Sequence, residues 1–225
     1  KIELTKTKEH KVQLFSNDKK FVLESGDTLP ELKIAYTTHG RLNETKTNVV
    51  WVFHALTANA DPTEWWDGLV GNGQAVDTEK YFVVCANILG SCYGTTGAAD
   101  INPLSREKYG LNFPLITIKD MVKAHKLLRD YLGIEKAFLG IGGSMGGQQL
   151  LEWAINEPAF FQNICALATN AHHSAWGIAF NASQRLALEA DPTFIYTYEG
   201  AGEKGLLEAR AIAMLKRLFN QHLRR

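Results

Sequence analysis

The chain has 225 residues, enough for one large domain with a sizeable core. Its 24 lysines and arginines balance 24 aspartates and glutamates, so no net field draws it to nucleic acid or to an anionic membrane surface. The cysteines Cys85, Cys92 and Cys165 are odd in number and lack C-x-x-C spacing, which argues against a disulfide framework and a zinc site and fits a reducing cytosol. No apolar run reaches the roughly eighteen residues of a membrane span, and the first residues are polar and lysine-rich, unlike a signal peptide. A start at Lys1 rather than methionine points to a processed or partial product.

Short apolar runs alternate with polar turns at the N-terminal end: Val12 to Phe15, Phe21 to Leu23 and, after Gly26 and Pro30, Leu32 to Tyr36. These predict antiparallel strands joined by hairpins. Asn48 to Phe53 and Tyr81 to Cys85 are continuous β-branched and aromatic runs, as expected of parallel strands buried on both faces, with a helix-compatible stretch carrying Trp65 and Trp66 between them. From Thr117 the period becomes helical. Ile118, Met121, Val122, Leu127, Leu128, Tyr131 and Leu132 form one apolar face, Thr117 is the candidate N-cap and Gly133 the stop. Lys136 to Ile141 reads as a strand, Leu150 to Asn156 as part of a helix ended by Pro158, and Phe161 to Leu167 as another buried strand. Strands alternating with helices predict an α/β chain with a doubly wound, mostly parallel sheet and an antiparallel N-terminal part, with ligands at the carboxyl ends of its strands. Beyond Asn170 only helices are expected, over Ala171 to Ala190 and Gly205 to Leu223, with Leu206, Ala209, Ile212, Leu215 and Leu218 on one face. The expected division is therefore residues 1–170 as core and 171–225 as a helical segment. The basic ending Lys216, Arg217, Arg224 and Arg225 reads as a solvated helix face rather than a nucleic-acid patch.

One stretch carries chemistry. In Gly142-Gly143-Ser144-Met145-Gly146-Gly147 an apolar strand runs into a glycine pair, a serine and two more glycines before helix-forming residues take over. In a G-x-S-x-G elbow the serine occupies a strained strand-to-helix turn, and the residues two places away must be nearly free of side chain for the backbone segments to pass. Ser144 is then a candidate nucleophile, with helix N–H groups placed where an oxyanion forms. The alternative is a glycine-rich turn that cradles phosphate or merely reverses the chain. A serine nucleophile also needs oxyanion donors, for which the backbone N–H groups of Met145 and of Leu56, in the loop after the Val49 to Phe53 strand, are the candidates.

The runs Phe21-x-Leu23-Glu24-Ser25-Gly26, Ala35-Tyr36-x-x-x-Gly40-x-Leu42-Asn43, His54-Ala55-Leu56-Thr57, Gly90-Ser91-Cys92-Tyr93-Gly94-Thr95-Thr96-Gly97, Ile116 to Val122 and Gly142 to Gly147 together resemble the homoserine O-acetyltransferases of the α/β-hydrolase superfamily, from about Phe21 to Ile212. The resemblance implies acyl transfer from acetyl-CoA, as substrate and with no bound cofactor, through an acyl-serine to the hydroxyl of L-homoserine, a step towards methionine. It implies Ser144 as nucleophile, Leu56 and Met145 as oxyanion hole, a helical lid within residues 171–225, and a cytoplasmic homodimer formed through lid helices. Arg185, in Asn181-x-x-x-Arg185, falls where the family has an arginine facing the amino-acid substrate; a guanidinium suits a carboxylate, and an exposed helix arginine is the alternative. Succinyl-CoA as donor, serine as acceptor and simple ester hydrolysis stay open. His54 reads as a loop residue supporting the site, Cys92 as structural, and Trp65, Trp66 and Trp176 as core or lid packing.

The resemblance is incomplete. Triads of this fold run in the order serine, acid, histidine. After Ser144 come only His172, His173 and His222, and the clearest acid, Asp191, follows the first two and matches the start of the lid. No triad Asp or His is identified and the last strands are absent, so the expectation is an N-terminal portion of a longer enzyme, or a truncated product that folds without turnover.

Overall fold

The computed structural model describes residues 8–15, 20–196 and 198–222, with the side chains of residues 8, 15 and 216–222 left aside. It divides into two compact units with the boundary after Asn170. The first unit is built on a six-stranded sheet. Its strands are β1 (Lys8–Phe15), β4 (Leu32–His39), β5 (Val49–Phe53), β8 (Phe82–Ala86), β9 (Ala137–Gly143) and β10 (Phe161–Leu167). Two small pairs accompany it, β2 (Phe21–Val22) with β3 (Thr28–Leu29) and β6 (Val70–Gly71) with β7 (Val76–Asp77).

The strand order is β1-β4-β8-β5-β9-β10. β4 runs antiparallel to β1 and to β8, whereas β8, β5, β9 and β10 are parallel to their neighbours. The antiparallel N-terminal part is thus present, but β1 pairs with β4 rather than with the next strand, because β2 and β3 close a hairpin of their own between them.

All five β5 residues are fully buried. The pleat sends Val49, Trp51 and Phe53 into one layer, with Leu150, Trp153 and Phe161. Val50 and Val52 enter the opposite layer beside Val83, Cys85 and Ile141. Their β-branched, aromatic composition follows from having both faces covered.

Helix α2 (Ile118–Leu132) starts where expected: the Thr117 hydroxyl accepts from the Asp120 N–H while the Asp120 carboxylate accepts from the Thr117 N–H. It ends at Gly133, which takes the left-handed conformation at φ 63°. Helix α3 (Met145–Asn156) follows β9 directly.

Two expectations for this unit need correction. The stretch around Trp65 and Trp66 forms only the single turn α1 (Pro62–Trp65), capped by Asp61, before β6 and β7; Pro62 can open a helix, and Gly68, Gly71 and Gly73, all at positive φ, prevent its continuation. β10 is not a buried strand: only Phe161 is buried, and Ile164 is 48% exposed, because among the described residues β10 pairs on one edge alone.

The helices of the second unit are α4 (Ala175–Ala190) and α5 (Glu203–His222), shorter at the first N-terminus because Ser174 caps α4 through the Gly177 N–H. On α5 the anticipated apolar stripe is buried only at Ala209; Leu206 and Leu215 are exposed, and the Leu218 side chain lies outside those described. The spacing is helical, but among the described residues only Ala209 and, in part, Ile212 of that stripe are covered.

Candidate functional site

β5 has its two parallel neighbours reached in opposite directions along the sheet, β8 on one side and β9 on the other, so the loops after β5 and β9 leave adjacent carboxyl ends. A crevice at such a reversal is where doubly wound sheets bind ligands. The loop after β5 carries Leu56, and the turn after β9 is Ser144.

Ser144 has φ 53° and ψ −123°, a region essentially reserved for glycine and costing roughly 1–3 kcal/mol for a serine. The surroundings hold it there. Its N–H donates to the Leu167 carbonyl at 3.0 Å, and its own carbonyl accepts from the Thr169 hydroxyl at 2.7 Å and the Gln148 N–H at 3.2 Å. A Cβ on Gly142 would stand 2.6 Å from Gly146 backbone, and one on Gly146 would stand 2.2 Å from the Phe53 carbonyl oxygen and 2.9 Å from that of His54. The glycines are therefore demanded by the close passage of β5, β9 and α3. The Ser144 residue is exposed, and its hydroxyl has no hydrogen-bond partner among the described residues.

No side chain caps α3, so its first N–H groups, Met145 included, face outward with the positive end of the helix dipole. On the other side, the Ala58 N–H closes a turn onto the Ala55 carbonyl, with Leu56 exposed within it. Neither the Leu56 nor the Met145 N–H is engaged by another described residue. Gly146 brings the two segments into backbone contact at His54.

Two buried histidines support these segments. His54 has no exposed surface: its Nδ1–H donates to the Ala55 carbonyl at 2.8 Å and its Nε2 accepts from the Ile88 N–H at 3.2 Å. Both nitrogens are occupied and burial pushes its pKa down, so it is a neutral brace between the β5 and β8 loops and not a proton acceptor for Ser144. His125, on the buried face of α2, contacts Gln149 Oε1 through Nε2 at 3.0 Å, and Gln149 Nε2 donates to the Met145 carbonyl at 3.3 Å. Burial among Trp51, Phe53 and Trp153 drives the His125 pKa down to about 4. This His125–Gln149 link, fastened to the first turn of α3, is not among the residues that the sequence singles out; its trace there is a histidine on the same helical face as Met121, Val122 and Leu128.

The Tyr93-Gly94-Thr95-Thr96-Gly97 run also has a structural task. The Thr95 and Thr96 hydroxyls accept from the Ala35 and Lys33 N–H groups, taking the place of a neighbouring strand along the first half of β4. Cys92, in the same loop, is exposed.

In the second unit, Arg185 is exposed on α4 and makes no ion pair among the described residues. His172 and His173 are exposed ahead of Ser174, and the His222 side chain lies outside those described. Asp191 is committed elsewhere: it accepts from the Thr193 hydroxyl and N–H and from the Gly205 N–H, which hold its carboxyl down at about 2 and tie α4 to α5. Among the described residues no three His, Cys, Asp or Glu side chains gather in a metal-binding arrangement, and no helix is long and apolar enough to cross a membrane.

Comparison with known proteins agrees with this architecture. A homoserine O-acetyltransferase of Cyclobacterium marinum is 48% identical over 203 residues, 90% of this chain and 58% of that protein. This chain spans about half the length of the curated relatives it matches. Among solved structures, a homoserine O-acetyltransferase from Bacillus anthracis matches with a TM-score of 0.84 at 27% identity, over 93% of this chain and 60% of the other. An acetylester hydrolase from Corynebacterium glutamicum matches at 0.82 and 26%, over 91% and 57%. The family model for the alpha/beta hydrolase fold covers residues 48–225, which include the reversal in strand order, the Leu56 loop and the Ser144 elbow. With a serine forced into a glycine-like turn at that reversal, the chain belongs to the alpha/beta hydrolase fold family.

Proposed function

We propose that Ser144 is an acyl-accepting nucleophile, and that the protein from which this chain comes moves an acetyl group from acetyl-CoA to the hydroxyl of L-homoserine. The observation that carries the reading is the Ser144 conformation, strained at φ 53° yet pinned from both sides, which presents an exposed hydroxyl beside uncapped helix N–H groups. Such strain persists only where the surrounding structure imposes it, and it clusters at reactive sites.

In this reading the Ser144 Oγ attacks the thioester carbonyl, its proton passing to a base. The oxyanion is stabilised by the N–H groups of Met145 and Leu56. Collapse expels the CoA thiolate and leaves acyl-Ser144. The homoserine hydroxyl then attacks the acyl carbon, gives up its proton, and the serine oxygen departs as the alcohol. Arg185 would take the homoserine carboxylate in its planar fork. The base is the part with no counterpart bonded to Ser144 among the described residues, so acylation by this chain alone is expected to be slow: a triad stripped of its base retains only what the oxyanion donors and binding supply.

The names of the curated relatives support the transferase reading. The acetylester hydrolase match supports a second one, in which water takes the acyl group. A dimer through the 171–225 helices is supported by exposed apolar side chains on them, among them Trp176, Leu186, Leu207 and Met214, and a cytosolic setting by the three free cysteines.

Intact mass after incubation with acetyl-CoA tests the nucleophile: one added acetyl group, absent in Ser144→Ala, is expected, and acetylation that persists in that variant removes Ser144 from the mechanism. Chasing the acetylated chain with L-homoserine against buffer separates transfer from hydrolysis. Succinyl-CoA in parallel tests the donor.

A further inference from the structure

The residues at the carboxyl end of β10 are built around Ser144. They hold both peptide groups that flank its side chain: the Leu167 carbonyl accepts from the Ser144 N–H at 3.0 Å, and the Thr169 hydroxyl donates to the Ser144 carbonyl at 2.7 Å. The rotations φ and ψ turn those two peptide groups about the Cα, so holding both fixes the Ser144 conformation and with it the direction of its Cα–Cβ bond. Between the two holds the chain passes through Ala168, at φ 45° a second left-handed residue that is not glycine. A turn that only redirected the chain could carry glycine there without strain. Strained residues of this kind persist where the surroundings over-determine them, and they gather at reactive sites.

Thr169 also accounts for a glycine that the elbow itself does not require. The close passage of β5, β9 and α3 calls for Gly142 and Gly146, whereas Gly147 lies one residue further into the first turn of α3. A Cβ on Gly147 would stand 2.6 Å from Thr169 Cγ2, 2.7 Å from its Cβ and 2.9 Å from its Oγ1. The half-buried Thr169 side chain is therefore seated against the Gly147 backbone while its hydroxyl is committed to Ser144. A β-branched residue is stiff at χ1, so the two contacts leave it one rotamer. One residue further along each segment, Gln148 Nε2 donates to Asn170 Oδ1 at 3.1 Å.

We propose that Thr169 is a positioning residue for acyl transfer: through the Ser144 carbonyl its hydroxyl holds the elbow in the conformation that presents Oγ to an acyl carbon beside the first N–H groups of α3. The assignment rests on the reading of Ser144 as the nucleophile. A hold made by a hydroxyl differs from mere packing in which replacement restores it, because serine keeps the donor and loses the methyl group whereas valine keeps the shape and loses the donor.

The test is the rate of Ser144 acetylation in the full chain and in Thr169→Ser, Thr169→Val and Thr169→Ala, followed by intact mass at several concentrations of acetyl-CoA and, in parallel, with p-nitrophenyl acetate, an activated ester that needs no CoA site. Thr169→Ser is expected within about twofold of the parent, and Thr169→Val and Thr169→Ala about tenfold slower in limiting rate at an unchanged half-saturating acetyl-CoA concentration, the loss of one hydrogen bond. The opposite order, with valine at the parent rate and serine as slow as alanine, would make Thr169 a packing residue and overturn the proposal, as would equal rates in every chain. Urea unfolding identifies any variant that has lost the fold; if Thr169→Val has, the comparison of serine with alanine decides, a fast serine and a slow alanine supporting the hydroxyl hold and two equal rates overturning it. Acetylation that persists in Ser144→Ala, or none from either donor, removes the nucleophile reading and the positioning role with it. Acetylation of Ser144 by the ester alone removes only acetyl-CoA as donor, and the order of the variants is then decided with the ester.

Discussion

Replacing Gly146 by alanine is the sharpest test of the elbow. The new Cβ would lie 2.2 Å from the Phe53 carbonyl oxygen and 2.7 Å from its carbonyl carbon, both backbone atoms of the central buried strand. Neither can rotate away, so α3 has to retreat from β5 by on the order of 1 Å, a shift of the size at which misplaced catalytic groups lose about 100-fold in rate. Overpacking of this kind costs about 1–3 kcal/mol. Gly143 provides the internal control: its Cβ would meet nothing closer than the Leu167 carbonyl oxygen at 3.7 Å, and Gly143→Ala should stay within about 0.5 kcal/mol of the parent. Urea unfolding of both variants and the rate of Ser144 acetylation by acetyl-CoA measure the two effects. A Gly146→Ala variant that unfolds with Gly143→Ala and acetylates at the parent rate would refute the close-passage account of the motif.

Ser144→Gly relieves the φ 53° strain whereas Ser144→Ala keeps it, so the glycine variant should be the more stable by about 1 kcal/mol after the entropy of an extra unfolded glycine, with acetylation abolished in both; equal urea midpoints would remove the strain. His125 is held neutral in the folded chain with a pKa near 4 against an ordinary 6.5, so the unfolded chain binds the proton first as pH falls. Its stabilising contribution is complete above about pH 6.5 and declines by roughly 3 kcal/mol as pH drops to about 4. His125→Asn should flatten that part of the stability profile, and an unchanged slope would contradict the assignment. Gln149→Leu strips His125 Nε2 of its partner and the Met145 carbonyl of its side-chain donor, for an expected loss of about 1–3 kcal/mol in urea unfolding together with slower acetylation.

Elements whose signals are local can be recognised in the amino-acid sequence itself. Thr117 with Asp120 and Gly133 bracket α2 because caps are chemistry between near neighbours, and Gly142 with Gly146 mark the elbow because steric exclusion leaves its trace on residue type. What depends on distant partners is not legible there. Phe161 to Leu167 mixes Gln162 and Asn163 with apolar residues, and nothing within it tells that Ile164 and Leu167 are exposed along with the amides. Leu206 and Leu215 keep helical spacing whether or not anything covers them. His54 can be placed in the right loop, but its bond to the Ile88 N–H joins residues 34 apart, and the His125–Gln149 contact is likewise a product of the tertiary fold. Arg185, on a helix of the second unit, is placed opposite a substrate by resemblance alone.

The placement of β5 has a consequence for how the chain is made. Val50 pairs on one side with Val83 and on the other with Leu139, so the strand at the middle of the sheet is completed only by a segment translated much later. At about 5–20 residues per second, Val49 to Phe53 waits several seconds on the ribosome with one edge unpaired. Five consecutive β-branched and aromatic residues without a charge make an efficient template for wrong pairing. The segment that is most protected in the finished molecule is thus the one most in need of shelter during synthesis, and the yield of soluble chain should rise with lower temperature or with more of a chaperone that holds nascent strands.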